Sequence, residues 1–174
     1  TTRLVGSEMC IRDSAKKGAC IARATAGKIV DLGVTDANNM GAAMAPAAAQ
    51  TFIDYFADTN TKPSDYDAVF TGDLGLVGSR SLYDLLSLEN IDLEPKHYDC
   101  GMMIFDLEGQ DVHAGGSGCG CAGSVFCSEI LNSVNSGKYN NILFMATGAL
   151  MSPTSSGQGE SIPSVAHLLN IKLR

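Results

Sequence analysis

The sequence lacks any run of eighteen apolar residues, which is about the length that a helix needs to cross a bilayer. It also lacks a cluster of basic residues, because 12 Lys and Arg are scattered among 19 Asp and Glu, for a formal net charge of −7. Proteins that bind nucleic acid neutralise phosphates with grouped Lys and Arg, so we expect no nucleic-acid partner. The rest of the composition, 45% hydrophobic and 18% charged residues in a chain of 174, predicts one globular domain.

A pattern typical of a secretory signal peptide is also missing. Three of the six cysteines, Cys119, Cys121 and Cys127, fall in one glycine-rich turn and the helix predicted after it. We therefore expect a reduced, intracellular compartment rather than a disulfide framework. Cys119 and Cys121 either pack like small apolar residues or provide a nucleophile for a histidine base.

The most informative stretch is residues 115–131, which read GGSGCGCAGSVFCSEIL. Four glycines among the first six residues predict a turn in which the backbone adopts positive φ or approaches another group closely. Apolar residues then recur at three- and four-residue spacing up to Val134, which predicts a helix, and Gly137 stands where its C-terminal cap belongs. Backbone N–H groups at such a turn attract carboxylate or phosphate, so we expect a ligand site here.

Several motifs that a glycine turn can carry are incomplete. Gly118, Gly120 and Gly123 match the dinucleotide fingerprint, but the acidic residue expected about 20 positions later is missing from residues 138–146. A P-loop is excluded because no Lys-Ser or Lys-Thr closes the glycine run. A serine nucleophile elbow is excluded because Cys119 replaces the glycine required two residues after Ser117.

A zinc site is a further alternative that the spacing does not favour. The donors within reach in the sequence are His113, Cys119, Cys121 and Cys127, but a lone Cys-x-Cys lacks the second paired motif of structural zinc sites. We therefore predict no metal site and no cofactor.

The hydrophobic pattern predicts the element order β, α, β, α, β, β, α, β and a final strand, which indicates an α/β fold with a mostly parallel or mixed sheet. Pro46 suits the first turn of the first helix, and residues 93–101 and 151–160 read as loops. The predicted strands are residues 20–25, 28–34, 67–71, 102–106, 141–150 and 162–173.

Asp73 is the carboxylate that most invites a functional interpretation. It follows the predicted strand 67–71, and ligands of open α/β sheets bind at the carboxyl ends of strands. Alternatively, it caps the following helix, whose apolar face is Leu82, Leu85 and Leu86.

Six segments in the same order resemble the carboxyl-terminal half of the stage V sporulation protein AD family. They are residues 28–36 (KIVDLGVTD), 40–49 (MGAAMAPAAA), 66–74 (YDAVFTGDL), 97–101 (HYDCG), 114–121 (AGGSGCGC) and 146–153 (ATGALMSP). The family is similar to thiolases and ketoacyl synthases, so the resemblance implies a thiolase-like half with a mixed five-stranded sheet covered by helices.

The resemblance implies binding of dipicolinic acid and its uptake, with calcium, into the developing bacterial spore. It implies other stage V sporulation A membrane proteins as partners, a homodimer at full length, and a location peripheral to the spore inner membrane. The alternative is an acyl-transferring enzyme of thiolase or ketoacyl-synthase type. Condensing enzymes would place a histidine where this chain has residues 71–73, and an asparagine or histidine where it has 116–118, so we expect a protein that binds without catalysis.

Residues 1–17 show no clean hydrophobic period of two or 3.6 residues, so we expect a non-native segment there and a carboxyl-terminal thiolase-like domain over 18–174. A complete member of the family carries another half, so we expect this chain alone to bind dipicolinate weakly or not at all. Apolar contacts are expected from Met102, Met103 or Phe126. The expected ligand-binding residues are Thr71, Gly72, Asp73, His113, Gly116, Ser117, Gly118 and Cys119.

Overall fold

The computed structural model describes residues 18–174, so the expectation for residues 1–17 lies outside the described residues. The strands are β1 (Ala19–Thr25), β2 (Ile29–Val30), β3 (Ala68–Thr71), β4 (His97–Asp99), β5 (Asn141–Ala149) and β6 (Ser164–Leu173). The α-helices are α1 (Met40–Thr59), α2 (Gly75–Ser87), α3 (Cys100–Met103), α4 (Cys121–Val125), α5 (Leu131–Asn135) and α6 (Pro153–Gly157). A π-helical turn, Phe126–Ile130, joins α4 to α5, and 3₁₀ turns occupy Pro63–Asp65 and Glu94–Lys96.

The strands form one mixed sheet in the order β1-β6-β5-β3-β4, and β2 pairs with one end of β6. β3 runs parallel to both β4 and β5, whereas β6 is antiparallel to β1, β2 and β5. The predicted α/β class with a mixed sheet is therefore confirmed, with five strands along the main path and the short β2 beside it.

Two apolar layers cover the two faces of this sheet. One contains the alanine-rich α1 and the leucines of α2, packed on residues such as Val69, Leu143 and Leu168. The other contains Val125, Phe126, Ile130 and Val134, packed on Phe70, Ile142, Phe144 and Ile171. β5 contributes Ile142 to one layer and Leu143 to the other because successive side chains of a strand point to opposite faces. This agrees with the sequence, in which β5 is apolar at every position from Ile142 to Ala146.

Four local predictions were wrong. Helix α1 begins at Met40, capped by the Asn39 side chain, so Pro46 lies inside the helix rather than in its first turn. Residues 97–99 form β4 instead of a loop, and residues 100–103 form α3, although a strand was predicted over 102–106. The predicted loop after β5 contains α6.

The tertiary contacts explain these differences. β4 is only three residues long, which is too short to show the alternation of apolar and polar residues that predicts a strand. It forms because it can pair with β3 as a parallel neighbour. Met102 and Met103 belong to a helical turn because the Asp99 side chain accepts a hydrogen bond from the Met102 N–H. Among residues 18–174, no helix combines the length and the hydropathy needed to cross a membrane.

Candidate functional site

The candidate site lies at the carboxyl end of β3, beside the part of β5 that continues past Met145, the partner of Thr71, to Ala149. Ligand sites of α/β sheets lie at the carboxyl ends of parallel strands. After Thr71 the chain turns through Gly72 and Asp73 into α2. The backbone is tight at this turn, because a Cβ on Gly72 would lie 2.6 Å from Thr147 Oγ1 of β5. The pairing of β3 with β5 therefore fixes the backbone position from which the Asp73 side chain extends.

Asp99, at the end of β4, holds this turn from the buried side. Its Oδ2 accepts hydrogen bonds from Thr71 Oγ1 (2.7 Å) and the Leu74 N–H (2.9 Å), and its Oδ1 accepts from the N–H groups of Gly75 (2.9 Å) and Met102 (3.3 Å). One carboxylate thus caps the beginnings of both α2 and α3. The cap that the alternative interpretation assigned to Asp73 is provided by Asp99, so that interpretation was wrong. Sequence reasoning missed Asp99 because β4 was not predicted.

A partly buried histidine extends this group. His97 Nε2 lies 2.8 Å from Thr71 Oγ1, and His97 Nδ1 lies 2.7 Å from the Tyr83 hydroxyl of α2. Burial lowers the pKa of His97 from 6.5 to about 4, so the ring is neutral at pH 7. Burial raises the pKa of the Asp99 carboxyl, and the hydrogen bonds from Thr71 and the three backbone amides oppose that rise.

The glycine turn packs against the start of α2 and against α3. Gly116 N–H donates to the Gly101 carbonyl (2.7 Å), and Leu76 N–H donates to the Ala114 carbonyl (2.8 Å). Gly118 has φ of +146°, in the region that favours glycine. The predicted turn into a helix is therefore confirmed, with α4, the π-helical turn and α5 in succession.

Asp73 joins the two parts of the site. Its Oδ2 accepts hydrogen bonds from Ser117 Oγ (2.8 Å) and from the Gly118 N–H (3.0 Å), and its Oδ1 accepts one from Thr147 Oγ1 (3.3 Å). The anion bound by the glycine turn is thus a side chain of the protein itself. Among residues 18–174, the Cys119 and Gly120 N–H groups are not paired with an acceptor.

A cavity of about 780 Å³ opens beside Asp73. Its apolar wall comes from the helix after the glycine turn, from β5 and β6, and from the start of α1. Of the described residues that line it, Asp73 alone is charged. The lining residues are Ile21, Met40, Met44, Asp73, Ser117, Gly118, Cys119, Ala122, Gly123, Phe126, Phe144, Ala146, Thr147, Gly148, Ala149 and Leu169.

The structure brings together four of the eight residues expected to bind a ligand: Asp73, Ser117, Gly118 and Cys119 line the cavity. Thr71 is fully buried in the Asp99 group, and Gly72 and Gly116 serve the backbone packing described above. His113 points to solvent with its side chain 88% exposed, and its Nδ1 lies 3.2 Å from Asp111 Oδ1.

The apolar wall was predicted only in part. Phe126 lines the cavity, whereas Met103 lies on a different surface beside Ile104 and Ser124. Sequence reasoning missed Thr147 and Gly148, although they belong to a segment that carries the family resemblance. It also missed Met40 and Met44, which come from a helix on the other side of the sheet. Only the tertiary fold brings them here.

No cysteine among residues 18–174 forms a hydrogen bond with a histidine. His97 contacts Thr71 and Tyr83, and His167 Nδ1 accepts a hydrogen bond from the Gly27 N–H (3.1 Å). Cys119 is exposed, whereas burial raises the pKa of the Cys121 thiol. Within the same part of the chain, no group of three or more His, Cys, Asp or Glu is placed to hold a metal ion.

Comparison with known proteins identifies the family. The family model for Stage V sporulation protein AD matches residues 1–172. The Stage V sporulation protein AD of Bacillus subtilis (strain 168) is 44% identical over 167 residues, which cover 96% of this chain and 49% of that protein. The chain thus spans about half the length of this curated relative. With a match over nearly its whole length, the chain belongs to the Stage V sporulation protein AD family.

Proposed function

We propose that the chain acts in bacterial sporulation by binding dipicolinic acid, which is taken up with calcium into the developing spore. The observation that carries this proposal is the open, mostly apolar cavity beside the glycine turn. Its volume of about 780 Å³ is in the range of sites for small organic molecules. In this proposal the other stage V sporulation A membrane proteins are its partners at the spore inner membrane, and the full-length protein is a homodimer.

The walls of the cavity suit a flat aromatic ligand. Phe126 and Phe144 lie with their ring centroids 4.7 Å apart on one side, and the small residues Gly123, Gly148 and Ala146 leave space beside them. Aromatic rings stack well on such surfaces. A pyridine ring therefore finds an apolar site here without displacing a side chain.

Polar groups for the ligand's carboxylates are available at the glycine turn. After Asp73 has taken the Gly118 N–H, the N–H groups of Ser117, Cys119 and Gly120 have no acceptor among the described residues, and Ser117 and Cys119 line the cavity. Asp73 itself repels an anion, but its charge is partly compensated by three donors. The carboxylates of the ligand are expected to face these amides and the hydroxyl groups, with the ring toward the phenylalanines.

We propose binding without catalysis. The enzyme alternative, acyl transfer from a cysteine, needs a base next to the thiol. Cys119 is the cysteine that the cavity exposes, and the histidines have other partners. Acyl-CoA turnover that depends on Cys119 would favour the enzyme instead.

The test is a titration of the ¹⁵N-labelled chain with sodium dipicolinate, followed by NMR, because chemical shifts report weak binding. We expect the largest shift changes at residues 117–123 and 146–149. Gly123→Leu should abolish them, because a side chain at Gly123 points into open space and would fill the cavity without a clash.

Gly157→Leu is the matched control, since Gly157 also lies in a helix and a Cβ added there would meet nothing within 4 Å, but it is away from the cavity. Benzene-1,3-dicarboxylate, which lacks the ring nitrogen, tests the ligand's selectivity. Shift changes spread over the whole surface, or equal in both leucine variants, would contradict the proposal.

A further inference from the structure

We propose that Thr71 and His97 are positioning residues for the cavity. Acting through Asp99, they hold the turn between β3 and α2 so that the Asp73 carboxylate faces the glycine turn. The proposal rests on the proposed function for the identity of the ligand, but the positioning itself is a property of the ligand-free protein.

The protons in this group can be assigned from its contacts. An ionised Asp99 only accepts, so Thr71 Oγ1 donates its one proton to Asp99 Oδ2. Thr71 Oγ1 must then accept from His97, which places the ring proton on Nε2. Nδ1 is left bare and accepts from the Tyr83 hydroxyl. The four side chains thus form a chain in which every donor points toward Asp99.

Water has no access to the two inner members of this chain, Thr71 and Asp99. Thr71 has no exposed surface, and Asp99 is 2% exposed. Among residues 18–174, every buried side-chain nitrogen and oxygen has a hydrogen-bond partner. Removing the Thr71 hydroxyl would leave the His97 N–H without its acceptor and would take from Asp99 Oδ2 one of its two donors, which is costly in the interior.

The connection to the cavity runs through the backbone on either side of Asp73. Asp99 Oδ2 holds both the Thr71 side chain and the Leu74 N–H, two residues before and one residue after Asp73. Gly101 N–H also donates to the Gly72 carbonyl (3.1 Å). With both flanks held, the Asp73 carboxylate is directed outward to Ser117 and Gly118. A shift of Asp99 would therefore reach the cavity through this turn.

The experiment compares hydrogen exchange in Thr71→Val and Thr71→Ser variants of the chain, without ligand. Valine has the shape of threonine without its hydroxyl, whereas serine keeps the hydroxyl. We expect Thr71→Val to speed amide exchange at Leu74, Gly75 and Gly118 by about tenfold relative to Leu143 in the sheet. Thr71→Ser should restore rates to within about twofold of the original.

Tyr55→Phe is the matched control. Tyr55 is 1% exposed, and its hydroxyl forms a buried hydrogen bond with the hydroxyl of Tyr66 (2.9 Å), which precedes β3, whereas the cavity lies beyond the end of β3. This variant loses a buried hydrogen bond away from the cavity, so it should leave Gly118 exchange unchanged relative to Leu143. Equal acceleration at Gly118 in Thr71→Val and Tyr55→Phe would overturn the proposal, because it would reflect general destabilisation.

A second measurement needs no substitution. NMR of the histidine ring nitrogens should show a slowly exchanging proton on Nε2 of His97 and none on Nδ1, and the opposite tautomer would overturn the proposal. Sodium dipicolinate is then titrated into Thr71→Val and Thr71→Ser, where we expect about tenfold weaker binding only in the valine variant. If the original chain does not bind dipicolinate, the exchange result still decides the positioning, so the two proposals can fail separately.

Discussion

At the scale of single residues, two aspartates divide the work of the site. Asp99 is buried and receives four hydrogen bonds, three of them from backbone amides. Asp73 is at the surface of the cavity and connects the turn after β3 to the glycine turn. A carboxylate without donors would not be stable in the position of Asp99, so the folded chain must supply all of these amides together.

His97 makes the stability of the chain depend on pH. The unfolded chain takes up a proton on histidine near pH 6.5, whereas burial delays this in the folded chain to about pH 4. Its contribution is therefore present above pH 6.5 and lost as pH falls toward 4. We expect the stability advantage of the original chain over His97→Gln to shrink by about 2 kcal/mol between pH 7 and pH 5. Urea denaturation at the two pH values measures this difference.

The comparison with His97→Gln is needed because Asp99 acts in the opposite direction. Burial raises the pKa of Asp99, so just above pH 3.8 the folded state holds more protons at this group than the unfolded state does. His113→Gln is the control, since His113 is exposed. An advantage over His97→Gln that stays constant from pH 7 to pH 5 would mean that His97 is not protected from protonation by burial.

At the scale of elements, the fold depends on close contact between α1 and α2. The two helices meet at Gly41 and Gly78, where a Cβ on Gly78 would lie 2.8 Å from the Gly41 Cα and carbonyl oxygen. Both obstacles are backbone atoms, which cannot rotate away. Because α2 begins at the turn that carries Asp73, this contact also sets the position of the cavity wall.

We expect Gly78→Ala to destabilise the chain by about 1–3 kcal/mol, since the helices must separate to admit the methyl group. Gly123→Ala is the control, because nothing lies within 4 Å of the added Cβ in that helix. It should stabilise the chain by up to about 1 kcal/mol, since alanine favours helix. Urea denaturation measures both, and a Gly78→Ala variant as stable as Gly123→Ala would show that the helices can part without cost.

At the scale of the whole molecule, the described chain leaves large apolar side chains at its surface. Ile29 and Leu32 are 67% and 65% exposed and lie three residues apart. Tyr98, Ile104 and Phe105 are also exposed. Neighbouring apolar residues of this kind favour association between molecules. The net charge of −7 opposes association through repulsion.

We expect the chain to associate at high protein concentration, and more so when salt rises from about 50 to about 500 mM and screens the repulsion. The double variant Ile29→Ser and Leu32→Ser should weaken association by about tenfold. Leu88→Ser, at a leucine that is exposed by itself, should change it little. Sedimentation velocity measures the effect, and equal weakening in both would show that these two residues form no shared contact surface.

The sequence by itself determined the α/β class, the strands β1, β3, β5 and β6, and the glycine turn with its helix. These features depend on the periodicity of apolar residues and on the conformational freedom of glycine, and both can be recognised from residues that are close in the sequence. The resemblance to the Stage V sporulation protein AD family could also be recognised from the sequence, and the comparisons confirm it. Asp73, Ser117, Gly118 and Cys119 could be chosen as site residues because they belong to short segments of unusual composition.

The tertiary structure alone decided which carboxylate caps α2, where His97 lies, and which side chains form the cavity. Asp99 and Leu74 are 25 residues apart, and Asp73 and Thr147 are 74 apart. Such contacts depend on which strands pair and in which register, and a three-residue strand such as β4 has no pattern of its own to reveal this. The cavity is the space left between these elements, so it exists only once the helices and the sheet have packed.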